Sequence, residues 1–157
     1  MAKYGTFKYG TGVKYFGFMC VTDRTLADVN YAAANPGNAT ANKGSLNYID
    51  LNRIENNCDY IANQLNVYGH SIAIAVKTDW TVRDFPYRSQ IDRIRDNVDD
   101  MLDALHRLPD SPDIRYWDSL DWNDANSLEQ NLCNLYGLLQ RMADVFLICG
   151  NAHGGDR

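Results

Sequence analysis

The chain has 157 residues, of which 45% are hydrophobic and 22% charged, the size and composition of one globular domain rather than of a disordered chain. Its net charge of −5 argues against general binding to nucleic acid or to anionic lipid, since both need a positive field. No apolar run approaches the ~18 residues of a membrane span, and the early residues lack the apolar core of a secretory signal. We therefore expect a protein assembled in a cytoplasm, with neither nucleic acid nor membrane as a partner.

The beginning of the chain alternates aromatic residues with glycines, which exclude a stable helix. Rings spaced by small residues are typical of an extended segment that inserts side chains into grooves of a partner, so we assign residues 1–20 to an N-terminal docking arm. A hairpin folded back onto the same domain remains open, because it uses the same edge pairing. The rings expected to contact a partner are Tyr4, Phe7, Tyr9, Tyr15, Phe16 and Phe18.

A short helix is predicted next, capped by Thr22 or Asp23 and ended by the turn residues that begin at Asn35. Its apolar positions are Leu26, Val29 and Ala33. After a polar linker, 39–44, apolar residues recur at spacings of three and four from Ser45 onward, which predicts a long amphipathic helix that stops at Gly69. Its stripe consists of Leu51, Ile54, Cys58, Ile61 and Leu65.

Alternating residues from His70 to Val76 predict a short strand. A second long helix is expected to begin at Pro86 and to end before Pro109. Its stripe consists of Tyr87, Ile91, Ile94, Val98, Met101, Leu105 and Leu108. The carboxylates of this helix alternate with arginines at helical spacing, as in Asp103 and Arg107, which predicts a solvated charged face rather than an acid site.

A third long helix is predicted from a cap at Asp121 to a stop at Gly150. Its stripe consists of Ala125, Leu128, Leu132, Leu135, Leu139, Met142 and Phe146. Further apolar residues lie off this stripe, at Tyr136, Leu138 and Val145, which indicates burial on a second side, for example between subunits. Residues 151–157 are expected to be a flexible tail.

These patterns predict a mainly α fold, an antiparallel three-helix bundle with a short extra helix, an extended arm and at most a small β element. The helical domain is assigned to residues 21–150. The connections between helices are interpreted as short, which favours antiparallel neighbours.

Groups that carry chemistry are sparse in the sequence. None of the three histidines stands at metal-ligand spacing, and no glycine-rich nucleotide loop is present. The four cysteines form no close pair in the sequence, which fits a reduced compartment, and Cys58 and Cys133 are interpreted as core residues. We therefore assign no catalytic, cofactor-binding or metal-binding residue and expect a protein that is not an enzyme.

Four ordered stretches resemble a tail-associated structural domain of phages and prophages of Gram-positive bacteria, over about residues 20 to 150. They are Thr22-Asp23-Arg24-Thr25 with Ala27-Asp28-Val29, Lys43-Gly44…Asn47…Asp50-Leu51-Asn52-Arg53-Ile54, Lys77-Thr78-Asp79-Trp80-Thr81, and Asp124-Ala125-Asn126-Ser127-Leu128-Glu129. The glycine and aromatic start is similar to the attachment arms of other phage tail proteins. The resemblance implies a structural protein of the tail or baseplate, assembled in the host cytoplasm, with other tail proteins as partners and as a homo-oligomer.

Tryptophans in loops support a second hypothesis, a module that binds carbohydrate or protein at the host surface through exposed rings. The candidate receptor-binding residues are Trp80, Trp117 and Trp122. The alternative is that these rings close the ends of the bundle, because aromatic side chains bury a large apolar area. A hydrolase of the cell wall is the least favoured reading, since it needs a polar cleft with an acid and a base or a metal.

Overall fold

The computed structural model describes residues 18–105, 107–115 and 120–152, with 39–41 and 146–152 described by their backbone alone. Within these residues the chain forms helices and no β-strand, so the predicted mainly α fold is confirmed. The helices are α1 (Leu26–Ala34), a 3₁₀ helix (Pro36–Ala41), α2 (Tyr48–Val67), α3 (Arg88–Leu105) and α4 (Trp122–Ala152). Most of the predicted arm lies outside the described residues.

The helix α2 follows its predicted stripe closely. All five stripe residues are buried. Asn47 caps the first turn by accepting the backbone N–H of Ile49 at 2.8 Å, and the Asp50 side chain accepts the N–H of Asn47 in return. Gly69 adopts φ +92°, a left-handed conformation that lets the chain turn away after α2, so the predicted stop is confirmed.

The helices α3 and α4 pack against α2 with the predicted residues. Asp121 caps α4 by accepting the N–H groups of Asn123 and Asp124, which confirms that cap. The helix α3 begins at Arg88, two residues later than predicted, and leaves Tyr87 on the surface. The buried stripe residues of these helices are Ile94, Val98, Met101, Ala125, Leu128, Leu132, Leu135 and Leu139.

The helix α1 differs from its prediction. Its cap is Thr25, which forms a capping box with Asp28, rather than Thr22 or Asp23. The helix ends at Ala34 as expected, but it buries none of its residues, so its apolar positions do not form a core stripe. The linker crosses it closely at Gly44, where a Cβ would collide with the backbone of Asp28.

Two extended segments run along the bundle, and we call residues 18–24 strap 1 and residues 70–80 strap 2. Strap 1 lies antiparallel to α4, because Phe18 stacks on Tyr136 while Val21 bonds to Glu129. Strap 2 runs back along α2, from the Ile72 bond to Asn66 to the Trp80 bond to Asn52.

Because strap 2 returns the chain to the start of α2, the three long helices point in the same direction. Arg53 contacts Glu129 and, seven residues further along each helix, Tyr60 contacts Tyr136. The structure differs here from the antiparallel order that the sequence favours. The reason is the length of the connections, since residues 68–87 and 106–121 are long enough to cross the bundle and parallel elements require such crossovers.

Strap 2 also replaces the predicted strand from His70 to Val76. Its alternation is real, because Ile72, Ile74 and Val76 pack against the core while the residues between them are exposed. No neighbouring strand pairs with it among the described residues, and side chains of α2 and α3 take its backbone hydrogen bonds instead. The prediction of a strand is therefore wrong, although the predicted inward face is right.

Candidate docking site

Strap 1 is the first described part of the chain and includes residues 18–20 of the predicted arm. Glu129 on α4 holds it. The Glu129 carboxylate is fully buried and accepts the backbone N–H of Val21 at 2.8 Å. It also accepts Arg24 Nη2 at 2.7 Å and both Nε and Nη2 of Arg53, at 3.0 and 2.6 Å. One carboxylate thus joins strap 1, α2 and α4 through charge-assisted bonds.

Asp50 completes this group, which we call the Glu129 cluster: Arg24, Asp50, Arg53 and Glu129. Asp50 is buried and contacts Arg53 at 2.8 Å and Arg24 at 3.5 Å, so two positive and two negative charges balance. Burial alone would raise the pKa of Glu129, but Arg53 and Arg24 lower it below its usual range. For Asp50 burial outweighs the attraction of the same arginines, and its pKa is raised.

The backbone of strap 1 is fastened along its whole length. Asn57 on α2 donates to the carbonyl of Met19 at 2.8 Å. Arg24 Nη1 donates to the carbonyl of Val21, and Asn126 on α4 exchanges two hydrogen bonds with the backbone of Arg24. Side chains of the helices and of Arg24 thereby bond the backbone of Met19, Val21 and Arg24, which has no strand beside it among the described residues.

The far end of strap 1 is held by aromatic rings. Phe18 is buried, and its ring stacks on Tyr136 with centroids 4.3 Å apart and planes 11° from parallel. Tyr60 tilts against both rings at 6.0 and 6.3 Å. Such ring pairs add to the energy of apolar burial, so the point where residues 1–17 join the body has a fixed position.

Strap 2 is held in a related way by Glu55 on α2. Its fully buried carboxylate accepts Trp80 Nε1 at 2.8 Å and the backbone N–H of Lys77 at 2.6 Å. Arg93 on α3 binds it with two nitrogens, at 2.6 and 2.7 Å. We call Glu55, Trp80 and Arg93 the Glu55 cluster.

The loop after strap 2 presents apolar side chains on a braced turn. The Asp84 carboxylate accepts the N–H and the hydroxyl of Thr81, at 2.7 and 2.9 Å, and the Thr81 carbonyl accepts the N–H of Asp84. Phe85 is 81% exposed and Tyr87 71%, and Val82 is equally open. An exposed apolar group on an ordered turn is typical of a surface that binds a partner.

The structure places the predicted site residues unevenly. Phe18 and Trp80 are buried in the core of their own chain, which corrects their assignment as contacts for a partner or receptor. Trp122 is half-buried and lines a cavity of about 250 Å³ beside Arg24 and Gly44. The other predicted residues lie outside the described residues: Tyr4, Phe7, Tyr9, Tyr15, Phe16 and Trp117.

Sequence reasoning missed both buried clusters, although a signal was present. The chain contains only two glutamates, Glu55 and Glu129, while its other acidic residues are aspartates. Both glutamates occupy positions of an apolar helix stripe, since Glu129 lies four residues after Ala125 and three before Leu132. Charged residues at such positions require buried partners, which the structure supplies.

We searched the described residues for metal-binding groups and for membrane-spanning helices. They contain no group of three or more histidine, cysteine or acidic side chains placed to hold a metal ion. In this part of the chain no helix is both long and apolar enough to cross a membrane. The predicted surface pairs of α3 are present, since Arg107 binds Asp103 at 3.0 Å and also contacts Asp99.

Comparisons with known proteins return no relative of this chain. No family model matches it, and neither a curated protein nor a solved structure is significantly similar to it. The geometry of the two clusters and of the exposed surfaces is therefore the basis for a functional proposal.

Proposed function

We propose that this chain is a non-enzymatic assembly protein that docks through residues 1–17 onto a neighbouring protein. The observation that carries this proposal is the fixed root of the arm. Phe18, Val21 and Arg24 are each held by a separate contact to the helices, although no strand supports the segment among the described residues. A docking arm needs such a root, because a fixed starting point lowers the entropy lost when the arm binds.

The direction of strap 1 supports a docking surface at one end of the bundle. Going back along the chain, strap 1 runs from Asn126 toward Tyr136, so Phe18, its first residue, lies beside the middle of α4. That helix continues to Ala152, beyond Leu139, its last buried residue among those described. Val145 is 59% exposed there, and the sequence is apolar from Val145 to Cys149. We therefore propose that residues 1–17 and this apolar helix end both bind the neighbouring protein.

The setting of this assembly rests on the resemblance to tail-associated domains of phages. The four stretches that carry the resemblance are distant in sequence, yet they supply Arg24, Arg53 and Glu129 of the Glu129 cluster and Trp80 of the Glu55 cluster. We therefore propose a homo-oligomeric protein of the tail or baseplate, assembled in the bacterial cytoplasm and bound to other tail proteins in the virion. The partner of the arm is a neighbouring tail protein or another copy of this chain.

A module that binds the host surface is the second candidate, and the exposed loop favours it. Trp80, directly before this loop, is buried and bonded to Glu55, while Val82, Phe85 and Tyr87 are exposed. A binding surface would thus consist of these three side chains, with Trp122 at a separate cavity. The variant Phe85→Ser/Tyr87→Ser separates this candidate from the first, because it removes the rings of the loop and leaves the arm intact.

The mass of the protein in solution tests the first proposal, by light scattering after size exclusion. We expect the full chain to form a defined oligomer and a variant lacking residues 2–17 to be a monomer of unchanged helicity. A length-matched variant with serine in place of the five arm rings before residue 18 should behave like the deletion, and Phe85→Ser/Tyr87→Ser should remain oligomeric. If the deletion has the same number of copies as the full chain, docking between copies through the arm is excluded.

A further inference from the structure

Two cysteines that are far apart in sequence meet where strap 1 crosses α4. Cys20 is completely buried in the core, and Cys133, which is half-buried, packs against the same core cluster. The neighbouring contacts fix this meeting independently. On strap 1, Cys20 lies between Phe18, which stacks on Tyr136, and Val21, which bonds to Glu129. On α4, Cys133 lies between those two residues and on the same face, four positions after one and three before the other.

We propose that Cys20 and Cys133 form a thiol pair that closes to a disulfide on exposure to a peroxide and locks the root of the arm onto α4. In this structure both cysteines are free. The hydrogen bonds on either side of Cys20, at the Met19 carbonyl and the Val21 N–H, hold its backbone beside α2 and α4. A disulfide requires this kind of close, fixed approach of the two Cα atoms.

The two thiols have different roles. Cys133 reaches solvent, and a hydrogen bond from the Cys20 thiol lowers the pKa of Cys133, which favours its thiolate. The same hydrogen bond, with burial and the charge of Glu129, raises the pKa of Cys20. An accessible thiol of lowered pKa beside a buried thiol is the arrangement in which the first is oxidised and the second resolves it.

The chemistry then takes two balanced steps. The Cys133 thiolate attacks one oxygen of hydrogen peroxide, the O–O bond breaks, and with one proton the products are a sulfenic acid and water. The Cys20 thiol attacks the sulfur of that sulfenic acid, the S–S bond forms, and hydroxide leaves with the thiol proton as a second water. Two thiols are oxidised and one peroxide is reduced, so no other reactant is needed.

The disulfide would fix the position of the arm root rather than strengthen the packing of the core. Strap 1 carries residues 1–17, so a covalent link at Cys20 keeps the arm root on α4 even when its hydrogen bonds open. A chain assembled in a reducing cytoplasm would keep the thiols free and close the link after release into an oxidising medium. This timing rests on the proposed function, whereas the pairing itself rests only on the geometry of strap 1 and α4.

Oxidation of the full chain with hydrogen peroxide tests the pairing, read by intact mass and by non-reducing peptide mapping. We expect the mass to fall by two hydrogen atoms, a single linked peptide pair containing Cys20 and Cys133, and a melting temperature higher by roughly 5–15 °C than in the reduced chain. The variant Cys133→Ser should lose the linked pair and the rise in melting temperature. The variant Cys149→Ser, which retains the pair, should behave like the wild type.

Three results would overturn the proposal: a stable sulfinic acid at Cys133, a link that joins two chains, or a linked pair that leaves the melting temperature unchanged. Each is visible in the same maps and melts. The oligomeric state of the arm deletion is a separate measurement, because this deletion retains both cysteines. Failure of docking and failure of the disulfide are thus distinguishable.

Discussion

Straps 1 and 2 are both extended segments held by one fully buried glutamate, but the charges around the two glutamates differ. Glu129 is bound by two arginine side chains that are each only 2% exposed, and Asp50 balances the second positive charge. Glu55 is bound by one arginine, Arg93, whose side chain is 25% exposed. The first cluster is closed to water, whereas the second has a side open to it.

This difference shows what each cluster contributes. A buried ion pair adds little net stability over an apolar contact of the same volume, because both charges lose their hydration, yet removing one partner leaves an uncompensated charge. The Glu129 cluster therefore fixes the register of strap 1, since a shifted strap would leave Arg24 without partners. In the Glu55 cluster Arg93 retains access to water. A shift in the register of strap 2 therefore lowers the free energy of unfolding less than a shift of strap 1.

Replacement of Glu129 by glutamine is expected to have the largest effect. Glu129→Gln leaves Arg24 and Arg53 buried with only Asp50 as an anion, and should lower the free energy of unfolding by about 3–5 kcal/mol. Urea unfolding followed by circular dichroism measures this change. A loss below about 1 kcal/mol would mean that water reaches the cluster and that the two clusters are alike.

Replacement of Glu55 by glutamine is expected to cost less, about 1–3 kcal/mol. The amide oxygen of Glu55→Gln can still accept the indole N–H of Trp80, and the guanidinium of Arg93 can turn toward water. The same unfolding experiment provides the value. Equal losses for the two glutamate variants would show that the exposure of Arg93 has no influence, and would remove the distinction between the straps.

The pH dependence of stability is a third way to separate the clusters. The pKa of Glu129 is lowered from its ordinary value of 4.5, so its contribution is fully present above pH 4.5 and is lost as the pH falls through its folded pKa. Asp50 acts in the opposite sense. Because its pKa is raised, the folded state binds a proton at a higher pH than the unfolded state does, which favours the folded state as the pH falls. We expect the wild type to lose stability as the pH falls below 4.5, because Glu129 must then take up a proton despite Arg53 and Arg24, and the raised pKa of Asp50 offsets part of this loss.

The variant Glu129→Gln is the matched test, since it removes this titration and retains the volume of the side chain. Its free energy of unfolding should fall less steeply with pH below 4.5 than that of the wild type. Parallel curves for the two proteins would show that the acid sensitivity arises from other carboxylates. Asp28, Asp84 and Asp113 are candidates, because hydrogen bonds to Thr25, Thr81 and Arg115 lower their pKa values.

Much of the helical framework could be predicted from the sequence. The stripe of α2, its stop at Gly69 and the cap at Asp121 follow from local periodicity and backbone chemistry, and these are confirmed. The inward face of strap 2 was also visible in its alternation. What these features share is that neighbours in sequence determine them.

The direction of the helices and the buried clusters could not be predicted in the same way. Parallel packing depends on the path of the connections, and a polar connection looks the same whether it turns sharply or crosses the bundle. Glu129 contacts Arg24 and Arg53, which are far from it in sequence. A local sequence pattern therefore cannot predict these partners. For Trp80 the sequence leaves open an exposed ring or a ring that closes the end of the bundle, and the structure buries it, with its indole N–H donated to Glu55 on α2.

A surface pair provides the lower limit for comparing the clusters. Asp103 lies on α3 and is largely exposed, and Arg107 follows four residues later, beyond the end of that helix. Since water screens such a pair, Asp103→Asn should lower the free energy of unfolding by only about 0.3–0.5 kcal/mol. The difference from wild type should shrink further in high salt, whereas the loss for Glu129→Gln should hardly change, because salt does not enter a closed cluster. If salt reduced both losses equally, the Glu129 cluster would be open to solvent, and the rigid root proposed for the arm would lose its physical basis.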